Sequence, residues 1–339
     1  MKLLVTGGAG FIGSNFINYW LSKYPKDTIT NLDLMTYAAN PLTIDYHVKN
    51  FGSRYEFVKG SILDANLVNN LVAETDIVVH FAAESHVDRS VTDPGNFVNT
   101  NVVGTFTLLD AARKNGNKRF HHISTDEVFG TLELNSSDKF SEKTPYSPRS
   151  PYSASKAGSD HLVYAYYETY NMPVTITNCS NNYGPFQFPE KVIPLYITRA
   201  LYDKNIPIYG QGIAIRDYLY VEDHCSAIES VIFNGKLGQT YCVGGDSERN
   251  TVEVSSAILD SLGKDKNLIK HTTDRPGHDP RYSIDHTKIS TDLGWSPKYS
   301  FDDGIQLTID WYKNNEAWWQ PISAKAQEIA ERYLQNVVG

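Results

Sequence analysis

The run Gly7-Gly8-Ala9-Gly10-Phe11-Ile12-Gly13 constrains this chain more than any other feature. It follows a short apolar segment, residues 3–6, and opens a stretch at 11–23 whose spacing predicts a helix. Glycines at such intervals also mark ordinary turns, so the string gains weight only from its surroundings. Here the surroundings fit. Asp33 closes a second β-branched segment, 28–32, and stands twenty residues beyond Gly13. The glycines would let backbone approach a pyrophosphate at a helix N-terminus, where unpaired N–H groups point outward. Asp33 would accept from both hydroxyls of the adenosine ribose and repel a 2′-phosphate, which selects NAD over NADP.

Further strand candidates lie at 55–58, 77–81, 120–124 and 174–177, with helical spacing at 66–73, 97–114 and 152–170. Alternation of this kind predicts βαβ units, hence an α/β fold with a parallel sheet. After about residue 180 the pattern changes. Asn181-Asn182-Tyr183-Gly184-Pro185 reads as a turn cluster, and fragments at 192–202, 206–209, 218–221 and 252–262 predict a smaller mixed region. The expected division is residues 1–180, with a return to the sheet within 217–245, then 181–320, then a helical extension at 321–339. In that extension Ala326, Ile329, Ala330, Tyr333, Leu334 and Val337 share one helix face.

Composition narrows the function. The 339 residues carry a net charge of −8, which disfavours nucleic-acid binding. No apolar run approaches the ~18–20 residues that span a bilayer, and no leader is read at the start, so no membrane is expected. Cys179, Cys225 and Cys242 are odd in number and lack C-x-x-C spacing, so neither a disulfide framework nor a metal site is expected. These features predict a cytoplasmic enzyme. An anionic ligand would need a local cluster of cations.

Tyr152 and Lys156 stand at i and i+4, on one helix face. The lysine is expected to lower the phenol pKa and make Tyr152 a base for hydride-transfer chemistry. Spacing alone does not single them out, because Tyr19/Lys23 and Tyr55/Lys59 repeat it. Only Tyr152/Lys156 lies downstream of a strand ending in hydroxyls, Ser124-Thr125.

From residue 1 to about 320 the chain resembles the extended short-chain dehydrogenase/reductase family. The resemblance rests on the features above together with Phe81-Ala82-Ala83-Glu84-Ser85-His86-Val87-Asp88-Arg89-Ser90 and Ser124-Thr125-Asp126-Glu127-Val128-Phe129-Gly130. Asn181–Pro185 followed by Pro189-Glu190-Lys191, Arg216-Asp217, and Asp274-Arg275-Pro276-Gly277-His278-Asp279 extend it. These motifs are similar to those of the dTDP-glucose 4,6-dehydratases within the family. The resemblance implies a Rossmann-type doubly wound sheet with a smaller nucleotide-sugar domain, and a homodimer built on the helices at 97–114 and 152–170. It implies dTDP-glucose as substrate and catalysis by Thr125, Asp126, Glu127, Tyr152 and Lys156. To the glycine loop (Gly7, Gly10, Phe11, Ile12, Gly13) and Asp33 it adds Leu34, Met35, Thr36, Ser61, Ile62, Phe81, Ala82, Ala83, Ser85, Thr100 and Asn182 as cofactor contacts. Substrate contacts would come from Ser85, His86, Thr125, Asn181, Lys191, Val192, Pro207, Tyr209, Arg216, Asn250, Asp274, Arg275 and His278.

The Asp126-Glu127 pair matters because oxidation at sugar C4 needs only Tyr152, Lys156, Thr125 and NAD. Elimination of water across C5 and C6 needs also a base and an acid. Two adjacent carboxyls can supply both if their surroundings push their pKa values apart. The resemblance implies Asp126 as the acid and Glu127 as the base. Ser61, Ala39 and Pro280 depart from the family pattern, which usually has aspartate, glycine and arginine there. Rival readings are a UDP-glucose 4,6-dehydratase, a UDP-glucuronate decarboxylase, a 4-epimerase, and a non-catalytic NAD-binding protein. The decarboxylase would lack the aspartate, the epimerase would lack the acidic pair, and the binder would lose Tyr152 or Lys156.

Overall fold

Leu3, Leu4 and Val5 are all fully buried in the first strand, so this strand requires cover on both faces. In the computed structural model, which describes residues 1–274 and 279–323, it has that cover. Arg275, His278 and nearly all of the extension expected at 321–339 lie outside the described residues. Strands β1 (Lys2–Thr6), β2 (Thr28–Asp33), β3 (Tyr55–Lys59), β4 (Ile77–His80), β5 (Arg119–Thr125) and β6 (Val174–Cys179) succeed one another in the first half. The chain then leaves for β7 (Asn181–Tyr183), β8 (Ile206–Tyr209) and β9 (Ile215–Tyr220). It returns through β10 (Thr240–Val243) before β11 (Glu248–Asn250) and β12 (Ile269–Thr272).

The large sheet runs β10-β6-β5-β4-β1-β2-β3, with every neighbour parallel. Strand order reverses at β1, so the crevice beyond the carboxyl ends of β1 and β4 is where such sheets bind ligands. On one face Leu3 and Val5 pack with Phe16, Ile17 and Trp20 of the Phe11–Lys23 helix and Ile228 of the Val221–Asn234 helix. On the other, Leu4, Val78 and Phe120 meet the Ala65–Ala73, Thr105–Lys114 and Pro151–Tyr170 helices. A separate core joins the Val192–Leu201, Thr251–Leu262 and Phe301–Asn314 helices to Ile206 and Ile208 of β8.

Several elements differ from the sequence reading. The single helix expected at 97–114 is divided: Pro94–Phe97 leads into a wider π-helical stretch, Val98–Gly104, before Thr105–Lys114 resumes the α-helix. The break serves Asn101, whose side chain accepts from Glu84 N at 2.9 Å and donates to Glu84 O at 3.0 Å and Ser155 Oγ at 2.8 Å. The turn cluster at 181–185 begins as strand, because Asn181–Tyr183 pairs in parallel with Tyr218–Tyr220. The reading also leaves out the Pro41–Phe51, Val221–Asn234 and Phe301–Asn314 helices.

The Phe11–Lys23 helix, which carries the glycine loop, is anchored by Trp20. Its indole is fully buried, stacks on Phe233 at 5.6 Å and donates to Asp27 at 2.9 Å. Trp20→Ala is expected to lower unfolding free energy by about 3–5 kcal/mol. Urea unfolding followed by far-UV circular dichroism measures it.

Candidate active site

The first polypeptide turn after β1 is shaped by close backbone approach. A Cβ at Gly7 would sit 2.6 Å from Ala82 N, and Gly7 has φ +74°. One at Gly13 would sit 2.5 Å from Gly7 O. A side chain at either position would collide with neighbouring backbone, so these glycines let the turn pack closely against the end of β4 and the helix, as a dinucleotide fingerprint requires. Asp33 closes the far side, accepting from Ala9 N at 3.0 Å and Met35 N at 2.8 Å. Burial pushes its carboxyl above the usual range, and these two N–H donors oppose the shift. The residues present fit NAD.

From this turn a cavity of about 640 Å³ runs along the carboxyl ends of the strands. Its wall gathers Gly7, Gly10, Phe11, Ile12, Gly13, Asp33, Leu34, Thr36, Ser61, Ile62, Phe81, Ala82, Ala83, Ser85 and Thr100. The same wall continues through Thr125, Asp126, Glu127, Tyr152, Lys156, Asn181, Asn182 and Lys191. Met35 stands behind it as a donor to Asp33. His86, Val192, Pro207, Tyr209, Arg216, Asn250 and Asp274 are not part of this wall. Asn250 caps the Thr251–Leu262 helix, accepting from Glu253 N at 2.9 Å. Arg216 stacks on Tyr282 at 4.3 Å, and its charge reaches Asp126. Ser61 Oγ accepts from Leu63 N at 3.1 Å, so this hydroxyl also serves the local turn.

At the end of β5 the backbone turns tightly through Asp126–Phe129. Thr125 Oγ1 starts the turn by accepting from Glu127 N at 3.3 Å and donating to Asp126 Oδ1 at 3.2 Å. This places two carboxyls in different surroundings. Asp126 is 2% exposed, its Oδ2 has no hydrogen-bond partner, and Glu127 is half-buried. Burial first, then the charges of Glu127 and Asp217, hold the Asp126 carboxyl well above its ordinary pKa. Asp126 is therefore biased toward its protonated form.

Tyr152 and Lys156 face the same cavity from the Pro151–Tyr170 helix, which starts with Pro151 and a Ser150–Ser153 capping box. The expected lowering of the phenol is not what the site produces. Burial, followed by Glu127, holds Tyr152 well above its ordinary range, with Thr125 opposing. Lys156 is drawn elsewhere: Nζ donates to Ile123 O at 2.8 Å and lies 3.4 Å from His122 Nε2.

The sequence reading missed a second layer. Tyr37 donates to buried Glu190 at 3.0 Å while Arg89 of the Val87–Thr92 helix covers the Tyr37 ring at 4.2 Å, tying that helix to two loops that line the cavity. His224, fully buried, lies 2.9 Å from Asn182 Oδ1. Both are long-range pairings that no local spacing signals.

Over residues 4–308 the chain matches the family described as GDP-mannose 4,6 dehydratase. It is 48% identical over 323 residues to a dTDP-glucose 4,6-dehydratase of Mycobacterium tuberculosis strain H37Rv, covering 95% of this chain and 96% of that protein. It is 51% identical over 339 aligned residues to the dTDP-glucose 4,6-dehydratase of Xanthomonas campestris pv. campestris strain B100, covering 94% and 95%. The crystal structure of dTDP-glucose 4,6-dehydratase from Bacillus anthracis strain Ames in complex with NAD superposes with a TM-score of 0.88. That structure is 45% identical and covers 95% of this chain and 99% of its own.

The buried acid has a thermodynamic signature. A carboxyl whose folded pKa lies above its unfolded value contributes stability below the unfolded pKa and loses it as pH rises through the folded one. Asp126→Asn removes this dependence. Relative to wild type, the variant is expected to gain thermal stability as pH rises above the ordinary carboxylate range. Paired melting curves from that range upward check the sign.

Proposed function

We propose, on the premise that the chain belongs to the GDP-mannose 4,6-dehydratase family, that it converts dTDP-glucose to dTDP-4-keto-6-deoxy-glucose with NAD as its cofactor. The observation that carries this reading is Asp126, buried and pushed toward its protonated form, beside half-buried Glu127 in one cavity with Tyr152 and Lys156. Oxidation and re-reduction at C4 alone would leave that second pair without a task. Elimination gives it one.

Bound NAD would supply the hydride acceptor for C4 and the donor for C6, and its positive charge would favour the Tyr152 phenolate against burial and Glu127. Thr125 and Tyr152 hold the sugar C4 hydroxyl, and Tyr152 Oη, in its phenolate form, takes the hydroxyl proton as the hydride leaves C4. Glu127 removes the C5 proton, which the new C4 carbonyl acidifies. Asp126 Oδ2, unpaired within the protein, gives its proton to the departing C6 hydroxyl. Lys191 and Arg216 supply positive charge toward the diphosphate, against the net charge of −8. Thymidine and uridine differ by one methyl, worth about 1–3 kcal/mol in a pocket. The relatives' high identity across nearly their whole length favours dTDP-glucose over GDP-mannose.

Residues 1–180 with the returning strand β10 serve as the cofactor body, and 181–320 supply the nucleotide-sugar side. No helix among the described residues is long and apolar enough to cross a membrane. Cys179, Cys225 and Cys242 are buried free thiols, in keeping with a reducing cytoplasm. A second copy of the chain is the expected partner. Val98, Val103 and Phe106 from one segment and Tyr164 and Tyr170 from the Pro151–Tyr170 helix leave an exposed apolar face.

Purified protein given dTDP-glucose, UDP-glucose or GDP-mannose is expected to form a 4-keto-6-deoxy product fastest from dTDP-glucose. With Glu127→Gln, loss of the base is expected to slow dehydration by about 10²–10⁴. Oxidation survives, so absorbance of reduced nicotinamide builds up during the first turnover. Full dehydration by Glu127→Gln would remove Glu127 from the base role. Light scattering at micromolar concentration is expected to give a dimer, and Phe106→Glu to shift it toward monomer. A wild-type monomer would contradict the interface.

A further inference from the structure

A fully buried carboxylate lies one helical turn behind the Tyr152–Lys156 pair and has no place in the chemistry above. Tyr152, Lys156 and Asp160 recur at intervals of four on the Pro151–Tyr170 helix, so they share one face. Asp160 is 2% exposed and Lys156 4%. An isolated ion at such depth is expensive, so each needs an opposite charge or dense hydrogen bonding. Asp160 has both. Its Oδ2 accepts from Ser124 Oγ at 2.8 Å, Tyr146 Oη at 2.9 Å and Asn178 Nδ2 at 3.4 Å. Its Oδ1 lies 3.2 Å from His122 Nε2, the same nitrogen that stands 3.4 Å from Lys156 Nζ.

The groups facing this pair come from every neighbouring element. β4 contributes His80, whose ring lies 5.2 Å from that of His122, and β5 contributes His122. β6 contributes Cys179, the loop before the helix contributes Tyr146, and the helix itself contributes Tyr152. Burial lowers both histidines, His122 to about 4, so neither carries charge at neutral pH. Burial raises the Cys179 thiol to about 12 and lifts both phenols above their ordinary range. In this set Asp160 alone is an anion at neutral pH. Burial pulls the Lys156 ammonium down, and Asp160 is the leading influence that pulls it back up.

We propose that Asp160 is a positioning residue, the buried counter-charge that keeps the Lys156 side chain an ammonium in the wall of the cavity. The inference rests on the reading of Lys156 as part of the reaction, but its test does not need turnover. It also explains the pinning of Asp160. Three donors from β5, β6 and the loop fix the carboxylate so that it cannot swing to the lysine and close the cavity wall as a tight ion pair. Both side chains approach His122 Nε2, at 3.2 Å from Asp160 Oδ1 and 3.4 Å from Lys156 Nζ, so the charge acts on the ammonium across that ring nitrogen while Nζ stays with Ile123 O.

Asp160→Asn is nearly isosteric. The amide oxygen keeps the place of Oδ2 and its donors, and the amide nitrogen faces His122, which can present its other tautomer. With lysine labelled at ¹³Cε, the Lys156 resonance is assigned as the one missing from Lys156→Arg. Its titration midpoint is expected to fall by about one to three pH units in Asp160→Asn. Because neutral lysine accumulates above the lowered midpoint, the alkaline limb of kcat on dTDP-glucose moves down by the same interval. Asp160→Glu, which retains the charge, is expected to restore both. Ser124→Ala/Tyr146→Phe strips two hydrogen bonds from the carboxylate but leaves its charge, so it should lower stability without moving the midpoint. An unmoved midpoint in Asp160→Asn, or an equal shift in the double variant, overturns the proposal. Should Asp160→Asn fail to fold, Asp160→Ser, which also removes the charge, is read by the same midpoint. Absence of turnover with a shifted midpoint would instead count against the proposed function while sustaining this role.

Discussion

Burial of ionisable groups where β5 ends is the constraint on which the rest of this structure depends. Asp126, Tyr152, Lys156 and Asp160 are all less than one-tenth exposed, the first beside that strand terminus and the others on the Pro151–Tyr170 helix packed against it. In water each would titrate at its ordinary pKa. Inside the sheet's carboxyl edge each must be neutralised, paired or hydrogen-bonded. Asp126 is pushed up toward its acid form; Asp160 is pinned by hydrogen bonds and held down toward its anion. One low-dielectric pocket thereby shifts two aspartates in opposite directions, a separation of roles set by environment rather than residue type.

The fold supplies that environment by bringing two regions together over one edge. β10 returns to the large sheet beside β6, while the segments before and after it build the smaller region. Asp217, at the end of this crossing, accepts from Gly245 N at 3.0 Å and Ser247 N at 2.9 Å, and its charge raises Asp126. Asp223 accepts from Lys298 N and Tyr299 N, both at 3.0 Å, and holds the C-terminal helices against the Val221–Asn234 helix. Asp217 therefore both holds the loop after β10 and tunes the acid, while Asp223 serves the packing.

What was legible in the sequence is what the chain writes locally. The glycine loop, Asp33 and the Tyr152/Lys156 pair lie within single strand–loop–helix units, where spacing maps directly onto geometry. The Pro41–Phe51 helix carried a readable signal that was passed over: Asn40 as cap, with its side chain accepting from Leu42 N, and Pro at the first position. The direction of Lys156 was not legible, because Ile123 O and Asp160 act on it from two different elements. Nor were Glu190–Tyr37–Arg89 and His224–Asn182, which join residues far apart in the chain. The split helix at Val98–Gly104 reads as continuous because its apolar periodicity hides one wide turn made for Asn101.

The central claim is that oxidation, elimination and re-reduction take place in one closed cycle in this cavity. Wild-type enzyme turning over dTDP-glucose deuterated at C4, in ordinary water, tests it most directly by the position of label in the product. The account predicts deuterium at C6, a solvent hydrogen at C5 and no net reduced NAD. Deuterium lost to solvent, retained at C4 in an epimerised sugar, or accumulating on released cofactor would contradict it.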